Sequence, residues 1–273
     1  MNLTIGVPVY NEQKNILKLI KSLKKQSYKD FEIIISDNFS SDKTLDLIKK
    51  NTKNDKRFKI YKQKKNIGSQ KNFEFVFKKA KKKYFMWLAA DDLLSTNFVE
   101  RNLSFLENNS NYIGSTSKNN YNWRRKFSSI KDKKFVKFKL DKDIDTNLIT
   151  FLKNINYSHA IFYSIFRRNF LKKCSIIKHN FYAGDWGIML FMTGCGKINR
   201  DLKSEITFGT QGISYKKQSY KTIVNKKKPL FPLYKFSIFF IKFILRKNLS
   251  ILTLMYAFYW IIRKNIKYYK KEL

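Results

Sequence analysis

Apolar positions early in the chain alternate between two spacings. Residues 3–9, 31–35, 58–61 and 84–88 are short apolar runs rich in β-branched and aromatic residues, as buried strands require. Between them, Ile16, Leu19, Ile20 and Leu23 fall at i, i+3, i+4 and i+7, one stripe of a helix. Phe73, Val76, Phe77 and Ala80 repeat at helical spacing, and residues 45–48 and 98–106 lie on further helix-like segments. Strands alternating with helices of this length predict βαβ units, an α/β fold with a doubly wound, mostly parallel sheet. The functional loops of such a sheet lie at the carboxyl ends of its strands, here residues 8–12, 36–42, 64–68 and 89–94.

The pattern weakens over residues 112–147. This stretch is basic (Arg124, Arg125, Lys126, Lys131, Lys133, Lys134) and reads as an insertion or a flexible acceptor-side segment. Residues 155–166 read as strand, 186–192 as helix and 206–208 as strand. Two apolar blocks then follow a Lys-Lys-Lys-Pro stretch, at 230–245 and 249–262. The second holds 14 residues, whereas a spanning helix needs about 20. Aromatics interleave with Lys and Arg throughout this tail, the composition of helices that lie in a membrane interface. Packing on the preceding domain and pairing with a second copy remain alternatives. The expected organisation is residues 1–220 as one domain (1–110 and 111–220 as its halves), followed by a basic, aromatic amphipathic tail over 226–273.

Composition sharpens this picture. Of 273 residues, 57 are Lys or Arg and 20 are Asp or Glu, a formal charge of +37. A hydrophobic fraction of 43% excludes a disordered basic tail. The charge points to nucleic acid, an anionic membrane face or a phosphate-bearing substrate. Cys174 and Cys195 have no metal-type spacing and read as free thiols. The first ten residues run straight into a strand pattern without a signal-peptide profile, so a cytoplasmic location is expected, peripheral at the inner face of the membrane.

The few acids are the informative residues. Glu12, Asp37, the pair Asp91 and Asp92, and later Asp185 fall at predicted strand ends or loops. A basic protein with a few placed carboxylates suits a polyanion bound through Mg2+ or Mn2+, since Mg2+ takes oxygen ligands and substrate phosphates. Helix capping is the alternative role for Asp91 and Asp92, but Ser95, Thr96 and Asn97 lie closer to the next helix start.

Four motifs then recur in order: Gly6-Val-Pro-Val-Tyr-Asn-Glu12, Ile34-Ile-Ser-Asp-Asn38 with Asp42 and Thr44, Asn66-Ile-Gly68, and Trp87-Leu-Ala-Ala-Asp-Asp92. Together they resemble the family 2 glycosyltransferases of the GT-A fold, a Rossmann-like architecture. The resemblance is strong over residues 3–106, weaker to about 214 and absent from the tail. It implies that Pro8, Tyr10 and Glu12 line the nucleotide pocket and that Asp37 hydrogen-bonds the base. It also implies that Asn66, Gly68, Lys71 and Asn72 form the loop near the ribose and base. Asp91 becomes the metal ligand, with Ala90 and Asp92 beside it. The family motif reads acid–any–acid, and Ala89 stands at its first acid. Asp185 takes the place of the catalytic base, with Gly184 where a Glu is usual; an N-cap role is compatible. Tyr182, Trp186 and His159 fall on the acceptor side, Trp186 either as a sugar-stacking wall or as core. His179 reads as solvated. No late histidine follows Phe208, where Gln211 or backbone near Gly209 and Gly212 could substitute.

The resemblance implies an inverting, metal-dependent transferase acting on a nucleotide-sugar, UDP-sugar favoured. The tail suggests a lipid-linked glycan acceptor at an anionic membrane, as in surface polysaccharide assembly. Basic proteins that bind nucleic acid or membrane without transferase activity are the rival class. Nucleic acid is not an expected partner, because it gives no reason for carboxylates at strand ends.

Overall fold

The computed structural model describes residues 2–121, 138–157, 159–178, 182–209, 231 and 233–271. The apolar runs form β1 (Leu3–Val9), β2 (Phe31–Asp37), β3 (Phe58–Lys62) and β4 (Tyr84–Trp87). The periodic segments form α1 (Ile16–Lys24), α2 (Thr44–Thr52), α3 (Ser69–Lys79) and α4 (Phe98–Asn108). Then come β5 (Leu93–Leu94, before α4), β6 (Tyr112–Tyr121), α5 (Ile144–Asn154), α6 (His159–Phe162), β7 (Ile165–Arg167) and α7 (Arg168–Lys172). The described chain ends with α8 (Gly184–Thr193), β8 (Lys197–Phe208), α9 (Tyr234–Leu245) and α10 (Ile251–Lys271).

The strands form one sheet of order β3-β2-β1-β4-β7-β6-β8-β5. β3, β2, β1 and β4 are mutually parallel. β7 enters antiparallel to β4 and β6, while β6 and β8 run parallel. Strand order therefore reverses at β1, with β2 and β3 built to one side and β4 to the other. Such a reversal opens a crevice at the carboxyl ends of the strands.

Successive strand residues face opposite sides, so each strand feeds two cores. Leu3, Ile5, Val7 and Val9 meet Leu19, Leu23, Ile48, Phe98 and Leu103 on the face of α1, α2 and α4. Ile34, Phe85 and Trp87 point the other way, toward α3, α5, α8 and the two C-terminal helices. Gly6 lies on that second face because there is no room for a side chain. A Cβ there would sit 2.8 Å from both Phe85 Cζ and Val76 Cγ2.

Three expectations are corrected. Residues 112–121 are not an insertion; they form β6, an interior strand between β7 and β8. Residues 155–166 are not a strand: a 3-10 turn (Ile155–Tyr157) and α6 precede the three residues of β7. Residues 206–208 are only the end of a twelve-residue β8.

The two C-terminal helices share the second core. Phe236, Phe240, Phe243, Ile244, Ala257, Trp260 and Ile261 are buried with Trp186 and Met189 of α8. Trp260 Nε1 donates to the Leu152 carbonyl (2.9 Å), and Lys247 Nζ to the Gly194 carbonyl (2.7 Å). Among the described residues, no helix is long and apolar enough to cross a membrane.

Candidate functional site

The loops after β1 and β2 are fastened to each other. Asn11 N–H donates to Ser40 Oγ, Ser41 N–H returns to Asn11 Oδ1, and Glu12 N–H donates to Thr44 Oγ1 (2.9, 2.9 and 2.7 Å). Asp42 accepts from Thr44 N–H and from Gln13 N–H, closing the seam. Burial alone would raise the Asp42 carboxyl, but these donors hold it below its ordinary value. Pro8 is buried at the end of β1, Tyr10 is exposed beyond it, and Glu12 accepts from Asn15 Nδ2.

Asp37 ends β2 fully buried. Its Oδ2 accepts from Ser40 N–H (3.1 Å), and its Oδ1 has no hydrogen-bond partner among the described residues. A buried carboxylate oxygen left this way costs free energy unless a ligand donates to it. The loop at 66–68 stands alongside: Asn38 Nδ2 donates to Asn66 Oδ1, while Asn38 Oδ1 accepts from Ile67 N–H (3.0 and 2.9 Å). Gly68 adopts φ 84°, which glycine takes without strain, and begins α3. Lys71 is exposed. Asn72 is buried and holds the end of β2, donating to the Ser36 carbonyl and accepting from Ser36 Oγ.

Asp91 and Asp92 lie in the turn between β4 and β5, with Ala90 buried behind them. They do not cap α4, whose first residue is preceded by Asn97. Asp92 is buried, accepts from Gly209 N–H (2.9 Å) and is hydrogen-bonded by Tyr163. Burial, then the charge of Asp91, pushes its carboxyl up to about 8. Asp91 is half-exposed and lies against Gly209, where an added Cβ would come within 2.5 Å of Asp91 Cγ. Crowded carboxylates whose mutual charge raises one of them are a donor set for a hard divalent cation. Among the described residues no three Asp, Glu, His or Cys converge as a cation cage. Mg2+ characteristically uses one or two carboxylates plus substrate phosphates, so the pair fits.

Asp185 lies in the first turn of α8 and is exposed. It is not the cap: Ala183 is, with a left-handed φ of 64°. Gly184 brings this helix close to the start of α3, since a Cβ there would lie 3.3 Å from Nε2 of Gln70. Trp186 is core. Its ring meets Phe236, Trp260 and Tyr268, with Lys264 Nζ 5.3 Å above it. Burial lowers Lys264 to about 8, with Lys267 and Arg263 adding to the shift. Tyr182 packs against Tyr268. The side chain of His159 lies outside the described residues, as do His179, Gln211, Gly212 and the basic residues at 124–134.

The described chain has three non-glycine residues with positive φ: Asn11 (54°), Phe39 (65°) and Ala183 (64°). All three border this edge, where such backbone states tend to gather. The sequence reading did not single out Gln70 or Tyr163. Neither belongs to a motif: Gln70 stands in the first turn of α3 and Tyr163 in the turn between α6 and β7.

Solved structures share this architecture. The chain superposes on Staphylococcus aureus TarS 1–349 in complex with UDP-GlcNAc with a TM-score of 0.67 at 19% identity, covering 92% of this chain and 68% of that one. A Pyrobaculum calidifontis mannosyltransferase in complex with GDP-Man and Mn2+ gives 0.56 at 12% identity, covering 87% and 68%. At these identities the likeness is one of fold. In sequence, a Rickettsia conorii protein described as an uncharacterised glycosyltransferase is 35% identical over 125 residues, 46% of this chain and 20% of its own. The Campylobacter jejuni GalNAc(5)-diNAcBac-PP-undecaprenol beta-1,3-glucosyltransferase is 42% identical over 59 residues, 22% of this chain and 19% of its own. The chain thus spans about a fifth of the length of these two relatives. The family model described as glycosyl transferase family 2 matches residues 4–174, well over half of the chain and all four strand-end loops, and the chain belongs to that family.

Proposed function

We propose that this chain is a glycosyltransferase that moves a sugar from a nucleotide-sugar, UDP-sugar favoured, to a hydroxyl of a lipid-linked glycan, with inversion at the anomeric carbon. The observation that carries the reading is Asp37. A fully buried carboxylate at the crevice keeps one oxygen without a partner among the described residues, as a pocket for a base N–H would. TarS in complex with UDP-GlcNAc supports the donor class, and the Campylobacter enzyme, named for its undecaprenol-linked substrate, supports the acceptor class.

Each residue has a separate task. Asp37 takes the base, and the loop of Asn66 and Gly68, braced by Asn38, closes beside the ribose. Asp91, with Asp92 behind it, would hold Mg2+ or Mn2+; such an ion, when bound, offsets charge on the departing diphosphate. Asp185 accepts the proton of the acceptor hydroxyl while that oxygen bonds to the anomeric carbon. The bond from that carbon to the diphosphate oxygen breaks as the new one forms. One base, with no second carboxylate acting as nucleophile, gives a single displacement and therefore inversion. General-base assistance contributes about 10²–10⁴-fold.

The test is turnover. Full-length protein is incubated with UDP-, GDP- and dTDP-sugars, Mn2+ and an undecaprenyl-diphosphate glycan, and products are followed by mass spectrometry. Asp185→Asn is expected to lower kcat by about 100-fold or more, and chelation to abolish transfer. Undiminished transfer by Asp185→Asn would remove the base assignment.

A further inference from the structure

The structure leaves one face of α10 uncovered. Its inner face carries Ala257, Trp260 and Ile261 into the core, with Lys264 and Tyr268 against Trp186. On the opposite side Leu252, Met255, Tyr259, Ile262 and Ile266 follow one another at alternating steps of three and four residues, a continuous helical stripe. They are 77%, 64%, 58%, 60% and 52% exposed, unusual for large apolar side chains in a row.

Charge decides what covers this stripe. Helix α10 contains Arg263, Lys264, Lys267, Lys270 and Lys271 and no acid. Arg263 and Lys267 are exposed beside Ile262 and Ile266. Two copies of this helix laid face to face would bring like charges together with no acid on α10 to pair them, so self-association is disfavoured. An apolar stripe edged by cations, with a tyrosine within it, matches an anionic bilayer surface. The helix is too polar to cross one.

We propose that α10 lies flat in an anionic lipid surface, burying the Leu252–Met255–Tyr259–Ile262–Ile266 stripe, with Arg263 and Lys267 on the headgroups. Its other face packs on Trp186, next to Asp185, so docking holds the acceptor side of the crevice at the membrane. This last consequence rests on the transferase reading; the docking itself does not.

The experiment is vesicle flotation of the full chain, with no sugar donor present, so its outcome is separate from that of the transfer assay. Vesicles are phosphatidylcholine alone or phosphatidylcholine with 30% phosphatidylglycerol (about one anionic lipid in three). Wild type is expected to float with the anionic vesicles and much less with neutral ones. Met255→Glu with Ile262→Glu, at exposed positions, is expected to reduce the bound fraction about tenfold with an unchanged melting temperature. Arg263→Glu with Lys267→Glu is expected to reduce it by a smaller factor and to weaken its salt dependence. Absence of wild-type binding, or equal binding by the Met255→Glu/Ile262→Glu variant, would overturn the proposal. So would a lipid-free dimer that this variant dissolves, because the stripe would then belong to a second copy.

Discussion

The two halves of the sheet are held together differently. On the donor side, parallel strands alternate with helices through short loops, and those loops are laced by polar contacts such as Asn11–Ser40, Glu12–Thr44 and Asn38–Ile67. These contacts run from backbone N–H groups of one loop to side-chain oxygens of the next. On the acceptor side, aromatic rings dominate. Trp186 of α8 packs against Phe236 of α9 and Trp260 of α10, and Phe240 stacks on Phe236 and tilts against Trp260. The candidate base therefore depends on helices far along the chain, whereas the candidate nucleotide pocket depends on its neighbours.

The largest way to break this contrast is Trp260→Ala. It removes the ring from the cluster around Trp186 and leaves the Leu152 carbonyl without its donor. A loss of about 3–5 kcal/mol is expected from such a truncation, read as a lower urea midpoint. Transfer should fall further than donor affinity when both are measured well below the unfolding transition. Equal losses would mean the halves are not separable in this way.

Gly6→Ala strikes β1, the central strand of the parallel half, on the face that packs toward the second core. Its Cβ would press on Phe85 and Val76, and overpacking of this kind costs about 1–3 kcal/mol. Thermal melts should report the drop without any change in the acceptor requirement.

The smallest effect lies at the seam, where Arg101 of α4 grips Asp201 of β8 through two hydrogen bonds. Burial alone would raise the Asp201 carboxyl, but Arg101 and Ser204 hold it below its ordinary value. A depressed folded pKa contributes stability above the unfolded value, about 3.9, and loses it as pH falls through the folded one. Stability should therefore decline below about pH 4, and Asp201→Asn should flatten that limb. With Arg101 37% exposed, the contribution is about 1 kcal/mol at most. Urea titrations at pH 3 to 6 would measure it.

The same contrast explains what could be read in the sequence. β1, β2 and β4 are fully buried and mostly apolar, and α1 carries one clean stripe, so residue spacing alone outlines the parallel half. β6 escaped because its interior is polar. Ser115, Thr116 and Ser117 are buried but satisfied: Ser115 donates to Asn102 Oδ1, Thr116 to the Ala160 carbonyl, and Ser117 accepts from Asn102 Nδ2. A buried strand of this kind leaves no hydrophobic period. Residues 155–166 failed in the opposite way, since a short apolar run reads equally as strand or buried helix. The strand-end placement of Asp37, Asn66, Asp91 and Asp92 is legible because they belong to ordered motifs; their roles remain part of the proposal. Gly209 and Tyr163 reach Asp92 only through the return of β8 and the turn before β7, contacts that no local spacing encodes. Trp186 could be read as wall or core, and only the position of α10 decides for core.

The central claim is that the buried end of β2 receives the base of a sugar nucleotide. Titration calorimetry of UDP, with Mn2+ present, into wild type and Asp37→Ala tests it most directly. Saturable binding weakened about tenfold or more in Asp37→Ala, equivalent to about 1.4 kcal/mol, is the predicted result. Identical affinities in two proteins with matching melting curves would contradict it.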